Sequence, residues 1–516
     1  MGRIRKRTLI KEFFQLLFGK GRKAAPRFEL GIKDLQSSAL PLGHAAQRVK
    51  NVSPLDRISP KNKNVLVISN GHGEDLIALR ILEALHSLKP DLNLQVISLV
   101  GEGRVFSDGI KKLWLSKAGT SLRLPSGGFS NQSISGFIQD ILAGVLWVNC
   151  KNWLCVRSAA KNGSFIVAVG DLLPLFFAWS SGGNYAFVGT PKSDYTWFHA
   201  RTCSLSNYYH SLKGTEWEPW EWSLMKAFRC KIVAVRDKLT ARGLRKKNVR
   251  VISPGNPMMD GFKPVFQPMN LKNYRRLILL CGSRMPEAMT NFKRLLNAVE
   301  YIESQTSLIV FVAIGSEPSL RLVEDVLIEK GFIKIQSSIL EIKSDSVFEK
   351  NDLRLVIGVG KFEDWSRFVE IGVANAGTAT EQLAGLGVPC VSLPGKGPQF
   401  KYGFAIRQSR LLGGSVIPCR NFVHLAKTVE LLLLDSRFRD RLSLIGKKRM
   451  GCSGGSEALA KRILDLMNTK SLIQCVRNKN IIGGDVVCLM PTKDSPNNIT
   501  AMVAASIMFE IISVIC

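Results

Sequence analysis

The sequence predicts an α/β fold with parallel sheets that helices cover on both faces. Short apolar runs of strand length recur along the body of the chain, and stretches with helical spacing separate many of them. Runs that are apolar at nearly every position are typical of strands buried on both faces. The body spans about 400 residues, which favours two such domains over one.

The predicted elements follow in chain order. A strand at residues 65–68 leads through the turn at Gly71 and Gly73 into a helix over residues 74–88. Further strands are predicted from apolar runs at residues 94–100, 165–169, 231–235, 276–280, 308–314, 353–358, 371–375 and 388–393. Further helices are predicted over residues 317–330 and 380–386. Residues 254–270, rich in Pro, Gly and Met, are predicted to link the two domains.

Composition limits the classes of protein. With 46% hydrophobic residues, wholesale disorder and a fibrous protein are excluded. The chain carries 71 Lys and Arg against 41 Asp and Glu, a formal charge of +30, which predicts anionic partners. Its 11 cysteines are scattered without a C-x-x-C pair, which favours reduced thiols in a cytosolic protein over disulfides or structural zinc.

Both ends of the chain differ from its body. Residues 1–63 form a basic extension that could be a membrane-surface helix, a transit peptide or a non-native segment. The last interpretation arises because residues 28–45 resemble the peptide obtained when a serine transfer-RNA gene is translated. Residues 470–516 lose the α/β pattern and end in an apolar run interrupted by Glu510, for which we expect no membrane anchor.

Gly-rich turns that follow predicted strands carry the candidate ligand site. The first contains Asn70, Gly71 and Gly73, where glycine allows a ligand to approach the backbone and the helix start offers free N–H groups. The chain has no G-x-G-x-x-G at this turn and no Walker A motif, which disfavours a nicotinamide enzyme and a P-loop ATPase.

Two later turns are predicted to bind a nucleoside diphosphate. Gly282 and Ser283 offer donors to a phosphate, and Arg284 offers a charged fork, although a turn with a surface arginine is the alternative. The strongest segment follows a predicted strand and begins a helix, whose N-terminus is predicted to bind the diphosphate. An acid or an amide in its first turn is predicted to hydrogen-bond a ribose. The residues of this segment are Gly377, Thr378, Ala379, Thr380, Glu381 and Gln382. Gln399, in the loop after the next strand, could hold a sugar hydroxyl.

In order, these motifs resemble those of lipid-A-disaccharide synthase and, more loosely, other two-domain GT-B glycosyltransferases. The resemblance covers roughly residues 64–468 and is carried by residues 70–75, 169–171, 188–191, 254–260, 281–284 and 377–380. It implies two Rossmann-like domains facing a central cleft, with residues 64–255 binding the acceptor and residues 256–469 binding the nucleotide sugar. It also brings Asn256 into the predicted substrate site.

The family's reaction is what the resemblance implies for this chain. The family transfers a diacylated glucosamine from UDP to a hydroxyl of a second acylated sugar phosphate, inverting the anomeric centre without a metal; no cofactor is expected. This sequence departs from the family at three places. Its acid, Glu381, comes one residue earlier than the acid of the family, and the turn containing His72 has a different sequence. The tryptophan patch at residues 217–222 has no counterpart in the family. The departures predict a related subfamily with its own acceptor.

The general base is predicted from the same resemblance. Asp171 follows an apolar strand and matches a family aspartate proposed for this role, while its alternative role is to cap a helix. His72 is the rival base because histidine titrates near neutrality.

Three functions remain open from the sequence. The favoured one is a glycosyltransferase with a UDP-sugar donor and a lipid or acylated-sugar acceptor, peripheral on an anionic membrane surface at the cytoplasmic, inner face. The alternatives are a UDP-sugar 2-epimerase-like enzyme and a basic nucleic-acid-binding protein. No nucleic acid is expected, because basic residues interleave with few aromatics and the charge forms no single stripe.

Overall fold

The computed structural model describes residues 64–71, 73–121, 145–197, 205–262, 271–303, 307–336, 342–395 and 400–479. All of them lie in one unit, residues 60–516. The predictions for residues 1–63 and 480–516, and those for His72 and Gln399, fall outside the described residues.

The first sheet contains seven parallel strands of the described chain. The strands are β1 Asn64–Ser69, β2 Asn93–Ser98, β3 Leu115–Lys117, β4 Phe165–Val169, β5 Tyr185–Gly189, β6 Cys230–Val235 and β7 Val251–Ile252. The helices around them are α1 Gly73–Leu88, α2 Ser107–Lys111, α3 Val145–Lys161, α4 Leu172–Ser180, α5 Leu205–Lys213, α6 Pro219–Lys226 and α7 Lys238–Lys246. The spatial order is β3-β2-β1-β4-β5-β6-β7, the Rossmann order, which reverses direction between β1 and β4.

The second sheet contains eight strands of the described chain. They are β8 Arg275–Leu280, β9 Leu308–Ile314, β10 Ile333–Ile335, β11 Ser346–Lys350, β12 Leu353–Val359, β13 Ile371–Ala374, β14 Cys390–Ser392 and β15 Val416–Pro418. Their order is β10-β11-β12-β9-β8-β13-β14-β15, in which β10 and β11 form an antiparallel edge. The remaining six strands are parallel and again follow the Rossmann order, with the reversal between β8 and β13.

We call residues 64–255, which contain the first sheet, the first half of the body, and the residues from 256 onward, which contain the second sheet, the second half. Helices of the second half cover the second sheet and continue to the end of the described chain. They are α8 Glu287–Glu300, α9 Leu320–Glu329, α10 Phe362–Trp365, α11 Thr378–Leu386, α12 Tyr402–Leu411, α13 Phe422–Leu434, α14 Ser436–Met450 and α15 Gly455–Lys479. Two Rossmann-like sheets with their helices confirm the predicted α/β fold of GT-B type.

Burial on both faces explains why the strands are apolar throughout. In β1, Val65 and Val67 belong to one hydrophobic cluster, whereas Leu66 and Ile68 belong to another on the opposite face. Successive side chains of a strand point to opposite faces, so a sheet covered on both sides needs apolar residues at nearly every position.

The described part of the predicted linker, residues 254–262, is packed rather than loose. Met258 and Met259 are buried in a short 3-10 helix, Pro257–Met259. Asp260 accepts hydrogen bonds from the backbone N–H groups of Gly454 and Ser456 at the start of α15. From there α15 packs on α1 of the first half and runs to Lys479, past the boundary predicted at residue 469.

The structure also places the cysteines and the tryptophan patch that the sequence analysis noted. The cysteines Cys150, Cys155, Cys230, Cys281, Cys390, Cys419 and Cys452 are free thiols, as predicted for these residues. Trp217 is buried edge-on against Phe187 of the first sheet, whereas Trp220 is exposed. Within the described residues, no helix is both long and apolar enough to cross a membrane.

Candidate functional site

The candidate site lies where the strand order of each sheet reverses. The loop after β1 carries Asn70 and the loop after β4 carries Asp171, at the reversal point of the first sheet. The loop after β8 carries Arg284 and the loop after β13 carries Gly377, at the reversal point of the second. Crevices outside the carboxyl ends of parallel strands, at such reversal points, are where open α/β sheets bind ligands.

The two reversal points face each other across a cleft. A Cβ atom added to Gly73 would overlap the hydroxyl of Thr378, so α1 and α11 start next to each other. Nearby, Arg236 Nη1 lies 2.9 Å from Glu381 Oε2, an ion pair that joins the two halves. A larger residue at position 73 would require the Thr378 side chain to shift. The structure brings together the loops that the sequence predicted as one site.

Asp171 occupies the first residue before α4 and caps that helix. Its carboxylate accepts a hydrogen bond of 3.3 Å from the backbone N–H of Leu173 and interacts with the Asn70 side chain. Partial burial raises the pKa of Asp171, and the Leu173 hydrogen bond and the Lys192 ammonium oppose that shift. The capping role is thus present. The base role stays a prediction, and the interaction with Asn70 places the carboxylate beside the loop after β1.

Lys192 is a cation near this carboxylate that the sequence analysis did not select. It follows β5, and its Nζ lies 2.6 Å from Oε1 of Glu221, a buried residue of α6. Its charge favours the ionised form of both Asp171 and Glu221.

Glu74, in the first turn of α1, is a site residue that the sequence analysis missed. A Cβ atom at Gly170 would lie 3.5 Å from Glu74 Cγ, which places this side chain directly beside Asp171. Burial raises the pKa of Glu74 to about 7, and the neighbouring carboxylates of Asp171, Asp75 and Glu381 add to the shift. Only its position after the Gly71 and Gly73 turn could have drawn attention to it.

Asp75, next along α1, has a structural role. Its carboxylate accepts hydrogen bonds from the hydroxyl of Ser69 and, at 2.9 Å, from that of Ser98. These serines end β1 and β2, so Asp75 ties two strand ends to the helix start. Burial raises its pKa to about 6, against the effect of these hydrogen bonds.

The second half carries, on the opposite side, the turn that the sequence predicts to bind phosphate. Gly282 has a φ of +89°, a left-handed conformation that favours glycine, and Ser283 beside it is exposed. Burial lowers the pKa of Arg284 to about 10, while the carboxylates of Glu74 and Glu287 oppose that shift. Arg284 therefore shares the cleft with the acids of the first half.

The start of α11 is held in place by hydrogen bonds around it. The Asn375 side chain accepts from the N–H of Leu393 at 2.9 Å and donates to its carbonyl at 2.8 Å, which joins the ends of β13 and β14. The Thr380 hydroxyl donates to the Ala376 carbonyl at 2.7 Å. Gly377 has open space at its Cβ position, whereas Thr378 and Ala379 are partly buried. The start of α11 is thus partly accessible and lies beside the start of α1.

Two residues that the sequence analysis predicts to bind substrate are buried in the interior of the protein instead. Gln382 is buried and its amide donates to the Met258 carbonyl at 2.9 Å. Asn256 is fully buried; its Nδ2 donates to the Met450 carbonyl at 2.9 Å, and its Oδ1 accepts from the Met258 N–H at 3.1 Å. Both amides fasten the segment between the two halves to α14 and α11.

Comparison with known proteins adds little beyond the fold. The profile of the Arginase family matches residues 464–513, a short stretch that assigns no family to the chain. No curated protein sequence matches the chain.

Several solved structures are similar in fold. The UDP-GlcNAc 2-epimerase from Neisseria meningitidis bound to UDP-GlcNAc is 12% identical, with a TM-score of 0.46, over 78% of this chain and 100% of that one. The UDP-GlcNAc 2-epimerase from Methanocaldococcus jannaschii is 16% identical, with a TM-score of 0.44, over 78% and 99%. The glycosyltransferase SnogD from Streptomyces nogalater is 11% identical, with a TM-score of 0.40, over 78% and 99%. Similarity at these levels assigns no activity, and the fold assignment rests on the two strand orders.

Proposed function

We propose that the chain is a glycosyltransferase that moves a sugar from a UDP donor to a hydroxyl of a lipid or acylated-sugar acceptor. One observation carries the proposal: carboxyl groups on the first half lie close to an arginine and a helix start on the second half. Asp171 and Glu74 supply the former. Arg284 and the start of α11 supply the latter. The uridine and the acylated acceptor come from the resemblance to the lipid-A-disaccharide synthase family.

The reaction follows from this division of roles. The diphosphate binds at the N–H groups of α11 and at the Gly282 turn, where Arg284 neutralises the charge that develops on the leaving group. Asp171 takes the proton of the acceptor hydroxyl, whose oxygen forms a bond to the anomeric carbon. The bond between that carbon and the diphosphate oxygen breaks on the opposite face, so the anomeric centre inverts. In this proposal residues 64–255 bind the acceptor and residues 256–469 the donor.

Exposed aromatic side chains support attachment to a membrane surface. Trp147 is 64% exposed with Lys151 Nζ 3.5 Å from its ring centroid, and Phe228 is 81% exposed with Lys231 Nζ at 4.2 Å. Aromatic rings with neighbouring lysines suit the headgroup region of an anionic bilayer. We therefore place the enzyme on the cytoplasmic, inner face of the membrane as a peripheral protein.

Donor binding is tested by replacing Arg284 with alanine. We expect calorimetry to show UDP binding that is about tenfold to a hundredfold weaker in the Arg284→Ala protein, because a charge-assisted contact to phosphate is lost. Arg242→Ala, which removes an exposed arginine from α7, should bind UDP as the unmodified protein does. Equal affinity in both variants would remove Arg284 from the donor site.

The reaction type is tested by following both UDP release and conversion of the UDP-sugar, with and without acceptor. Release that depends on a lipid or acylated-sugar acceptor supports transfer. Steady turnover of a UDP-sugar in the absence of any acceptor would contradict it and favour the 2-epimerase-like alternative.

Membrane attachment is tested by vesicle sedimentation. Binding to anionic vesicles should fall as salt rises, since each Lys or Arg near the surface contributes about 1 kcal/mol that ions screen. A chain beginning at Lys63 should behave like the full chain, which excludes the basic extension as the cause. Equal binding to neutral vesicles would indicate hydrophobic insertion, and no binding to either would contradict the peripheral location.

A further inference from the structure

A buried arginine of the first half contacts the acid predicted to hold the ribose. Arg236 directly follows β6, and its side chain is 1% exposed. Its Nη1 donates to Glu381 Oε2 at 2.9 Å, and its Nη2 lies 3.5 Å from Met450 Sδ. Burying a guanidinium is costly unless a carboxylate compensates it, so this ion pair fixes both side chains.

The neighbouring acid does not compete for Arg236. Asp237 caps α7: its Oδ1 accepts from the Thr240 N–H at 2.8 Å, and its Oδ2 accepts from the Ser193 hydroxyl at 2.7 Å. Its carboxylate is thus engaged within the first half. The guanidinium of Arg236 instead extends across to the second half and meets Glu381 there.

Glu381 keeps contact with the cleft while it is held. It lies in the first turn of α11, whose N–H groups face the proposed diphosphate, and its side chain is 17% exposed. In Rossmann-type nucleotide sites the diphosphate lies at a helix N-terminus and an acidic side chain accepts a hydrogen bond from a ribose hydroxyl. Glu381 is the acidic side chain in the first turn of α11. Because one carboxylate oxygen of Glu381 is paired with Arg236, the carboxylate cannot rotate freely and its other oxygen keeps one orientation.

We propose that Arg236 is a positioning residue for the donor nucleotide, which holds Glu381 in the orientation that accepts a hydrogen bond from a ribose hydroxyl. The inference rests on the proposed function, since it requires a nucleotide in the cleft. It adds a residue from the acceptor half to donor recognition, so nucleotide affinity depends on the two halves being together.

The test compares UDP with its 2′-deoxy and 3′-deoxy analogues by calorimetry on the full chain. A site that binds a hydroxyl through a buried charged group discriminates strongly against the analogue that lacks it. We expect the unmodified protein to bind one deoxy analogue at least about tenfold more weakly than UDP. In the Arg236→Met protein the ratio should fall toward one, and Arg236→Lys should restore part of it.

A second arginine provides the matched control. Arg275 pairs with Glu370 at 3.0 Å and lies at the amino end of β8, opposite to the cleft. Arg275→Met should lose stability as a broken ion pair does, yet keep the ratio between UDP and its analogue. A merely structural role of Arg236 predicts that its variant behaves in the same way.

Each outcome decides the inference. If Arg236→Met unfolds, Glu381→Gln replaces it, because a neutral amide of equal size should also abolish the ratio. A ratio of one in the unmodified protein, or an unchanged ratio in a folded Arg236→Met or Glu381→Gln protein, overturns the inference and leaves UDP binding intact. No binding of UDP to the unmodified chain would overturn the proposed function and this inference with it.

Discussion

Replacing Asp171 with asparagine should lower turnover by about 10²–10⁴-fold while leaving UDP affinity within about twofold. Asparagine keeps the shape of the side chain and removes the proton acceptor, so the acceptor hydroxyl is no longer activated. The diphosphate binds on the other side of the cleft and should not respond. Turnover of a UDP-sugar with acceptor, together with UDP calorimetry on the same protein, measures both quantities.

The capping geometry makes asparagine the informative substitution. Asp171 caps α4 through the N–H of Leu173, and asparagine caps helices about as well as aspartate does, so folding should be preserved. Asp435 provides a control with the same local role, since it caps α14 through the N–H of Phe438 at 2.9 Å. Asp435→Asn should retain full turnover and the same unfolding midpoint.

His72 offers the rival result. If Asp171→Asn retains nearly full turnover and His72→Ala abolishes it, the base is His72 and the role assigned to Asp171 is wrong. If both variants stay active, neither residue is the base and the transfer mechanism is contradicted.

The sequence predicts many of the central strands because their burial is recorded in their composition, but it misses Tyr185–Gly189, a central strand in which every residue is buried. Phe165–Val169 and Leu308–Ile314 have the predicted bounds, since every residue in them is buried. Short edge strands such as Leu115–Lys117 and Ile333–Ile335 are missed, because their residues are largely exposed and only the neighbouring strand makes them regular. Burial on both faces usually leaves an apolar run in the sequence, whereas pairing at a sheet edge leaves none.

Loop positions were likewise predictable, whereas partners across the cleft were not. A residue that follows a strand must lie at the carboxyl edge of its sheet, which places Asp171 and Arg284 from the sequence alone. Arg236 and Glu381 are 145 positions apart, and no local pattern pairs them. Gln382 stands where the family has its acid, yet the helix turns it toward the Met258 carbonyl. One residue along a helix rotates a side chain by about 100°, so the one-residue offset of Glu381 changes which side chain reaches the cleft.

The sign of the pH dependence at Glu74 follows from its pKa. The pKa is about 7 in the folded protein, against a usual 4.5, so the folded state binds this proton more tightly than the unfolded state does. The free energy of unfolding therefore falls as pH rises from about 4.5 to 7, and the full cost of the buried charge is present above pH 7. Asp171, Asp75 and Glu381 increase this cost, and Arg284 on the opposite side reduces it.

Replacing Glu74 with glutamine should therefore stabilise the protein above pH 7 by on the order of 2–3 kcal/mol and leave it nearly unchanged below pH 5. Urea unfolding of both proteins between pH 5 and 8 measures the difference. Glu83→Gln, on the exposed side of α1 where Glu83 pairs with Arg80, should change stability by less than about 1 kcal/mol at any pH.

A Glu74→Gln protein that is no more stable at pH 8 would contradict the placement of a buried charge beside Asp171. A gain in stability accompanied by a loss of turnover would identify Glu74 as a group retained for the reaction at the expense of the fold, because residues kept only for packing do not separate the two quantities in this way.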